Sequence, residues 1–204
     1  MVRPKMSAKG RGPSLGGPEE WFPTPAYCVH QLFEAQPALA APRHGGRGKE
    51  TWLDPCAGDG VLVREATKFV IADWITYDVL PKHILKPSFG SADVTATFCY
   101  DVLKHGIPHT RYHTTLMNPP FSYWTEFVEL AMRVSQRVIV LGNMTIQGSL
   151  VRNAWWQHMS KYLVGEHVLV PRPRFRKKSS DAVDYCWFVF DKEPRPFTKT
   201  WPKV

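Results

Sequence analysis

The sequence predicts an α/β fold: a mostly parallel β-sheet with helices on both faces and a C-terminal antiparallel hairpin. Short segments rich in β-branched and aromatic residues alternate with segments of helical periodicity from Thr51 onward, a pattern typical of parallel sheets. A glycine-containing loop, Asp54 to Gly60, separates the first strand-like segment from a helical one. The last two strand-like segments have no helix between them, so we expect them to form the hairpin.

The predicted strands are short runs whose side chains suit a pleated, largely buried surface. They comprise residues 51–54, 73–78, 98–102, 113–117, 137–141, 162–170 and 185–190. The predicted helices have apolar residues three or four positions apart. They comprise the segment that follows Pro25 through Phe33 and residues 61–72, 124–134 and 149–161. In the first helix, Thr24 suits the N-cap and Pro25 the first helical position.

The length of 204 residues is enough for one domain with a substantial core. We interpret residues 1–18 as a flexible basic tail, because they contain Arg, Lys, Gly and Pro but no acidic residue. The tail either binds phosphates loosely or is a solvated terminus. Residues 19–204 then form a single domain.

The composition favours some partners and argues against others. The chain has 26 Lys and Arg against 18 Asp and Glu, a net charge of +8, which suits a polyanionic partner without naming it. No stretch approaches the roughly 18 apolar residues of a membrane span, so no membrane partner is expected. The four cysteines form no CxxC pair. This spacing argues against a zinc site or a disulfide framework and favours a cytoplasmic location, and no metal is expected.

The loop Asp54-Pro-Cys-Ala-Gly-Asp-Gly60 follows the first predicted strand. Ligands of parallel sheets bind at this position, and glycines allow the backbone to approach them closely. The loop lacks the Lys-Ser/Thr pair of a P-loop, which argues against a triphosphate. Asp78, at the end of the second predicted strand, suits hydrogen bonds from ribose hydroxyls. The pattern favours a nucleoside ligand, and the alternative is a plain turn that needs two glycines.

A second motif, Asn118-Pro119-Pro120-Phe121, follows the predicted strand that ends at Met117. Consecutive prolines fix the backbone and hold Asn118 extended. The Asn118 side-chain oxygen and the Pro119 carbonyl can each accept a hydrogen bond from an aromatic amine, which frees the nitrogen lone pair for attack. Phe121 can stack on the base. The alternative is a proline turn that simply ends a strand.

Together these motifs resemble the S-adenosylmethionine-dependent amino methyltransferases, specifically the DNA adenine-N6 class. A further match is Trp21-Phe-Pro-Thr-Pro25, which is similar to the aromatic-x-Thr-Pro segment that some of these enzymes place before the glycine loop. The resemblance extends from about Glu20 to Asp191. The size of the chain also resembles the catalytic cores encoded by bacteriophages and prophages. The fold it implies is the Rossmann-like fold of class I methyltransferases, and the cofactor is S-adenosyl-L-methionine.

The resemblance also implies a role for each matching residue. Cofactor-binding positions are Thr24 and Pro25 at the methionine end, Asp54, Ala57, Gly58 and Gly60 around the methionine moiety, Asp78 at the ribose and Asp101 near the adenine, with Asp93 as the alternative to Asp101. Asn118, Pro119, Pro120 and Phe121 are the catalytic positions that hold the target base. The expected reaction transfers a methyl group to the N6 amine of an adenine that is flipped out of DNA.

Other substrates remain open on sequence grounds. RNA adenine suits the same residues, as do the N4 amine of cytosine and a protein glutamine amide, and a non-catalytic nucleic-acid-binding module can keep the same fold. The residues after Phe121 are needed to complete the sheet, so no separate target-recognition domain is expected. We therefore expect low or short sequence specificity, or a partner subunit, and homodimerisation is a further option.

Basic residues are concentrated in the segment between the last two predicted strands. We expect this loop to contact nucleic-acid phosphates, with salt-sensitive affinity, because it lies at the same sheet edge as the motifs. The alternative is a solvated hairpin tip. Phe175 can stack on or beside a flipped nucleotide. The predicted phosphate-binding residues are Arg172, Arg174, Arg176, Lys177 and Lys178.

Overall fold

A computed structural model describes residues 23–43, 49–80, 94–108, 111–175 and 183–202. The predicted tail, residues 1–18, lies outside these ranges. The strands are β1 (Glu50–Asp54), β2 (Ala72–Asp78), β3 (Val94–Cys99), β4 (Tyr112–Met117), β5 (Ser135–Asn143), β6 (Leu163–Val168), β7 (Tyr185–Asp191) and β8 (Thr198–Thr200). The α-helices are α1 (Ala26–Ala35), α2 (Val61–Ala66), α3 (Val102–His105), α4 (Trp124–Val134) and α5 (Asn153–Met159).

All of these strands belong to one sheet, in the order β3-β2-β1-β4-β5-β7-β6-β8. The first five strands of that order are parallel, and β7 lies antiparallel between β5 and β6. The predicted fold class is confirmed, including the antiparallel pairing of the last two predicted strands. Strand β8 was not predicted, and it pairs parallel to β6 over only three residues.

Two predicted elements, the second helix and the third strand, end elsewhere for reasons that the structure shows. Helix α2 ends at Ala66 instead of Ala72, because the chain turns there and enters β2. The third strand is β3, and the residues after Asp101 form α3 instead of strand. The Asp101 carboxylate caps that helix by accepting the backbone N–H groups of Leu103 and Lys104, both at 3.1 Å. Such capping favours helix over strand.

Two further expectations about helices need correction. Pro25, not Thr24, occupies the N-cap of α1, and no side chain caps that helix. The long helix predicted over residues 149–161 is only α5, which is flanked by the 3-10 turns Leu150–Arg152 and Ser160–Tyr162. None of the described helices is long and apolar enough to cross a membrane.

Helices pack on both faces of the sheet, as predicted. On one face, α1 and α2 cover Trp52 and Trp74, whose ring centroids are 5.2 Å apart. On the other face, α4 buries Trp124 against Phe188 at 5.4 Å. Burying a large apolar side chain contributes roughly 1.5–3 kcal/mol. These two layers therefore hold the strand ends, and the loops that follow them, in fixed positions.

Candidate active site

A cavity of about 440 Å³ lies at the carboxyl ends of β1, β2, β3 and β4. Its volume is within the roughly 300–1,000 Å³ of small-molecule sites, and its position is where open parallel sheets bind ligands. The lining comes from the four connections that leave these strands and from the segment before α1. The lining residues are Pro23, Thr24, Pro55, Cys56, Ala57, Gly58, Asp59, Val61, Leu62, Asp78, Val79, Leu80, Tyr100, Asp101, Val102, Leu103, Lys104, Asn118, Pro119, Pro120, Tyr123 and Phe127.

The glycine loop forms one wall of this cavity. Gly58 and Gly60 have φ angles of 56° and 76°, a left-handed conformation that residues with a Cβ rarely adopt. The Gly58 N–H donates to Asp78 Oδ2 at 2.8 Å, and the Leu80 N–H donates to Asp78 Oδ1 at 2.8 Å. The Asp78 carboxylate therefore joins the loop after β1 to the loop after β2, and the same side chain lines the cavity.

Asp54 lies beneath the glycine loop and is fully buried. Its Oδ1 atom accepts the Cys56 N–H at 3.1 Å, whereas Oδ2 has no hydrogen-bond partner among the described residues. Burial, with a further contribution from the nearby Asp78 charge, raises the pKa of Asp54 to about 8. The site therefore holds a buried acidic group that a cationic ligand would favour in its ionised form.

Replacement of Asp54 by Asn is expected to change how stability depends on pH. The folded-state pKa of about 8 lies above the ordinary value of 3.8, so folded wild-type protein retains a proton over this interval. Ionisation therefore lowers the wild-type free energy of unfolding as the pH rises, while the amide does not titrate. In urea denaturation, the free energy of unfolding of Asp54→Asn minus that of wild type should increase by at least about 1 kcal/mol from about pH 5 to about pH 8.5. An advantage that is independent of pH would contradict the burial argument.

The Asn-Pro-Pro motif forms the opposite wall. Asn118 follows β4 directly, and the Tyr123 N–H donates to the Pro120 carbonyl at 3.0 Å to close the 3-10 turn Phe121–Tyr123. The Asn118 Nδ2 group donates to Thr24 Oγ1 at 2.9 Å. Thr24 is buried, and this bond orients the Asn118 amide. The structure therefore places Thr24 against the motif, a contact that sequence reasoning did not reveal.

Phe121 lies beside the cavity and is not part of its lining. Its half-buried ring packs against Phe175 and Tyr185, with centroid distances of 5.9 Å and 5.7 Å. Phe175 is only 6% exposed, so its burial in this aromatic group argues against the hypothesis that it stacks on a nucleotide. Stacking of Phe121 on a base stays a prediction.

The cavity brings together most of the predicted cofactor-binding and catalytic residues. The predicted residues in its lining are Thr24, Ala57, Gly58, Asp78, Asp101, Asn118, Pro119 and Pro120, and the predicted residues outside its lining are Pro25, Asp54, Gly60 and Phe121. Sequence reasoning missed Tyr100, Tyr123 and Phe127. The available signal was their position: Tyr100 directly follows β3, Tyr123 ends the 3-10 turn after the motif, and Phe127 lies in α4. Burial raises the pKa of the Cys56 thiol well above its usual value, which argues against a nucleophile there.

The described ends of the basic loop between β6 and β7, residues 169–175 and 183–184, lie at the same edge of the sheet. The Tyr27 hydroxyl donates to the Pro171 carbonyl at 3.1 Å, which attaches the start of the loop to α1. Arg172 pairs with Asp184 at 2.6 Å, while the side chain of Arg174 is exposed. Residues 176–178, which include three of the predicted phosphate-binding residues, lie outside the described ranges. The location of the loop is as expected, and its binding to phosphate stays a prediction.

A scan against known protein families finds no match for this sequence, and a search of curated proteins finds none either. Solved structures match clearly. A putative RNA methyltransferase from Pyrococcus horikoshii has a TM-score of 0.63 at 20% identity, over 85% of this chain and 87% of that one. A putative class I S-adenosylmethionine-dependent methyltransferase from Listeria monocytogenes has a TM-score of 0.61 at 12% identity, over 87% and 62%.

A third match is the methyltransferase subunit of a type I restriction-modification system from Streptococcus thermophilus. Its TM-score is 0.60 at 14% identity, over 85% of this chain and 45% of that subunit. This chain therefore spans less than half of the subunit. Identities this low carry information about the fold alone. Together with the strand order, they show that the chain has the Rossmann-like fold of class I methyltransferases.

Proposed function

We propose that the protein is an S-adenosylmethionine-dependent methyltransferase that methylates the N6 amine of adenine in DNA. The observation that carries the proposal is that the glycine loop after β1 and the Asn118-Pro119-Pro120 segment after β4 line the same cavity. A group bound along the glycine loop and a base held at Asn118 would therefore be adjacent. Direct transfer requires such adjacency, because the reacting atoms must lie about 3–3.5 Å apart.

The residues of the cavity fit the proposed cofactor. S-Adenosylmethionine supplies an electrophilic methyl group on a sulfonium, and its methionine end carries an ammonium group. Asp54 lies beneath the glycine loop and outside the lining, and its buried Oδ2, which has no hydrogen-bond partner in the described part of the chain, favours positive charge bound nearby. In this proposal Asp78 accepts hydrogen bonds from the ribose hydroxyls and Asp101 lies near the adenine, and both residues belong to the cavity lining. Outside the lining, the Gly60 N–H donates to the Ala57 carbonyl at 2.8 Å, and Pro25 is the N-cap of α1 next to Thr24.

The catalytic contribution of the chain is to hold and orient the target amine. Asn118 Oδ1 and the Pro119 carbonyl accept its two N–H bonds, which favours a tetrahedral nitrogen with an available lone pair. Asn118 Oδ1 is shielded from solvent in this structure, so the entering base must take the place of the atoms that cover it. A paired adenine cannot reach this site inside a duplex, and it must therefore be flipped out.

RNA adenine is the second candidate substrate. The Pyrococcus neighbour is described as a putative RNA methyltransferase, and this chain covers 87% of it. The basic loop and the net charge of +8 suit either nucleic acid. The residues at Asn118 and Pro119 would act identically on either substrate.

One assay separates these candidates. Labelled methyl transfer is measured in parallel on unmethylated duplex DNA, single-stranded DNA and ribosomal RNA, followed by digestion to nucleosides and mass spectrometry. Formation of N6-methyldeoxyadenosine supports the proposal. Label in RNA alone would show that RNA is the substrate, with the same mechanism of transfer. Measurable cofactor binding without label in any nucleic acid would overturn the proposal and favour a protein substrate or a non-catalytic module.

Replacement of Thr24 by Val is expected to lower the turnover number about 10- to 100-fold, because a small displacement of a reacting group has an effect of this size. The change keeps the shape of the side chain and removes the acceptor for Asn118 Nδ2. Thr24 is expected near the methionine end of the cofactor, but its hydroxyl is bonded to Asn118 and the glycine loop is untouched, so the cofactor dissociation constant should change less than about threefold. Thr24→Ser keeps the hydroxyl and should retain most activity. Weakened cofactor binding with normal turnover would instead place Thr24 against the cofactor.

A further inference from the structure

The connection after β5 carries two adjacent apolar side chains that are almost fully exposed. Leu150 is 90% exposed and Val151 is 93% exposed, and both lie in the 3-10 turn Leu150–Arg152. No other large apolar side chain in the described parts of the chain is as exposed. Neither side chain contributes to the core, and adjacent exposed apolar residues are typical of a binding surface.

The turn that carries this pair is held firmly by its surroundings. The Trp156 Nε1–H donates to the Ile146 carbonyl at 3.0 Å, which joins α5 to the start of the connection. The rings of Trp155 and Trp156 pack against Trp124, with centroids 5.6 Å and 6.1 Å away. The apolar pair is therefore presented on a packed support.

The pair lies at the same edge of the sheet as the candidate active site. Strands β4 and β5 are parallel, with Met117 paired to Val140, so their carboxyl ends meet at one edge. Asn118 leaves β4 at that edge, and the connection to Leu150 leaves β5 at the same edge. Trp124, on which this connection packs, begins the helix that follows the Asn118 motif. The exposed pair and the site are thus carried by adjoining elements.

The charge around the pair suits a polyanion. Arg152 follows directly, and no Asp or Glu occurs in the sequence between Glu129 and Glu166. Among the described residues, two acidic residues of other elements contact this connection, and both are paired with a cation: Glu166, which accepts from Gln147, pairs with Lys199, and Asp184, whose carbonyl accepts the Met144 N–H, pairs with Arg172. The exposed Arg174 belongs to the neighbouring connection at the same edge. An apolar surface that binds a protein partner does not need an excess of basic residues. An apolar surface that enters a nucleic acid must avoid negative charge.

We propose that Leu150 and Val151 form a wedge that inserts into duplex DNA beside the adenine that is flipped out. This inference rests on the proposed function. A base that leaves the stack exposes the faces of its neighbours and the edge of its former partner. Apolar side chains such as leucine fill gaps of this kind between base steps, and they thereby favour the flipped state.

The test compares a paired target with one that is already destabilised. After the methylated adenines are mapped for the wild-type protein, one of them is placed in a short duplex opposite thymine, and in a second duplex opposite cytosine. Single-turnover methyl transfer is then measured for Leu150→Ala, Val151→Ala and the double variant. Both positions are exposed, so these changes should leave stability nearly unchanged. Ile71→Ala is the matched control, because Ile71 is 75% exposed and directly precedes β2 at the opposite edge.

On the paired duplex, the double variant should lose about tenfold or more in rate, since it no longer offsets the cost of unstacking. On the mismatched duplex its rate should stay within about twofold of wild type, and Ile71→Ala should match wild type on both. Equal losses on the two duplexes, or no loss on either, would overturn the wedge. Conversion of a wild-type dimer to a monomer by the double variant would also overturn it, because the pair would then be a self-interface. Absence of DNA methylation by the wild-type protein would instead refute the proposed function.

Discussion

Replacement of Asn118 by Ala is expected to reduce methyl transfer by at least about 10²- to 10³-fold, the usual effect of removing a preorganised polar group that acts on the reacting atoms. The change removes the side-chain acceptor for the target amine and also the hydrogen bond from Nδ2 to Thr24 Oγ1. The Pro119 carbonyl alone cannot orient both N–H bonds. Single-turnover assays with labelled S-adenosylmethionine measure this loss.

Cofactor binding provides the necessary second measurement for this variant. Asn118→Ala leaves the glycine loop and its hydrogen bonds to Asp78 intact, so calorimetry should give a cofactor dissociation constant within a few-fold of wild type. Asn143 is a suitable control, since it ends the neighbouring strand β5 and is absent from the cavity lining. Asn143→Ala should retain near-normal transfer. Wild-type-like turnover in Asn118→Ala would refute the mechanism.

Replacement of Asp191 by Ala is expected to lower the free energy of unfolding by about 3–5 kcal/mol, because the buried Arg43 loses its buried carboxylate and keeps only the half-exposed Glu193. The side chains of Arg43 and Asp191 are each 1% exposed, and they are 2.5 Å apart at their closest atoms. Asp191 also pairs with Arg137 in the register of β5 and β7. Arg137 is itself buried, and burial lowers its pKa to about 10. The carboxylate of Asp191 therefore stabilises a region of concentrated buried positive charge.

Glu193 provides the matched control for this prediction. It contacts the same guanidinium at 3.0 Å, but its side chain is 47% exposed. Exposed ion pairs contribute roughly 0–1 kcal/mol, so Glu193→Ala should change stability by less than about 1 kcal/mol in urea denaturation. Similar losses for the two variants would show that burial does not decide the strength of these contacts.

Arg137 and Asp191 lie at the amino edge of the parallel strands, so the residual folded Asp191→Ala protein should keep the cofactor affinity of wild type.

Local sequence patterns determined much of this protein. Alternating strand-like and helical segments predicted the parallel sheet, and the structure confirms α4 over Trp124–Val134 with the same bounds as predicted. The positions of the glycine loop and of Asn118-Pro119 placed both motifs at one edge, because parallel strands all end there. The bounds of elements were less well predicted where one side chain decides between helix and strand. Asp101 does so by capping α3.

Only the tertiary structure decided how residues distant in sequence act on each other. The bond between Thr24 and Asn118 joins residues 94 positions apart, and neither residue's local pattern indicates it. The pKa of Asp54 depends on its burial in the folded chain. Leu150 and Val151 are exposed because no other described element packs against them. Periodicity reports which side of an element is apolar, but contact and solvent exclusion arise only when the elements are assembled.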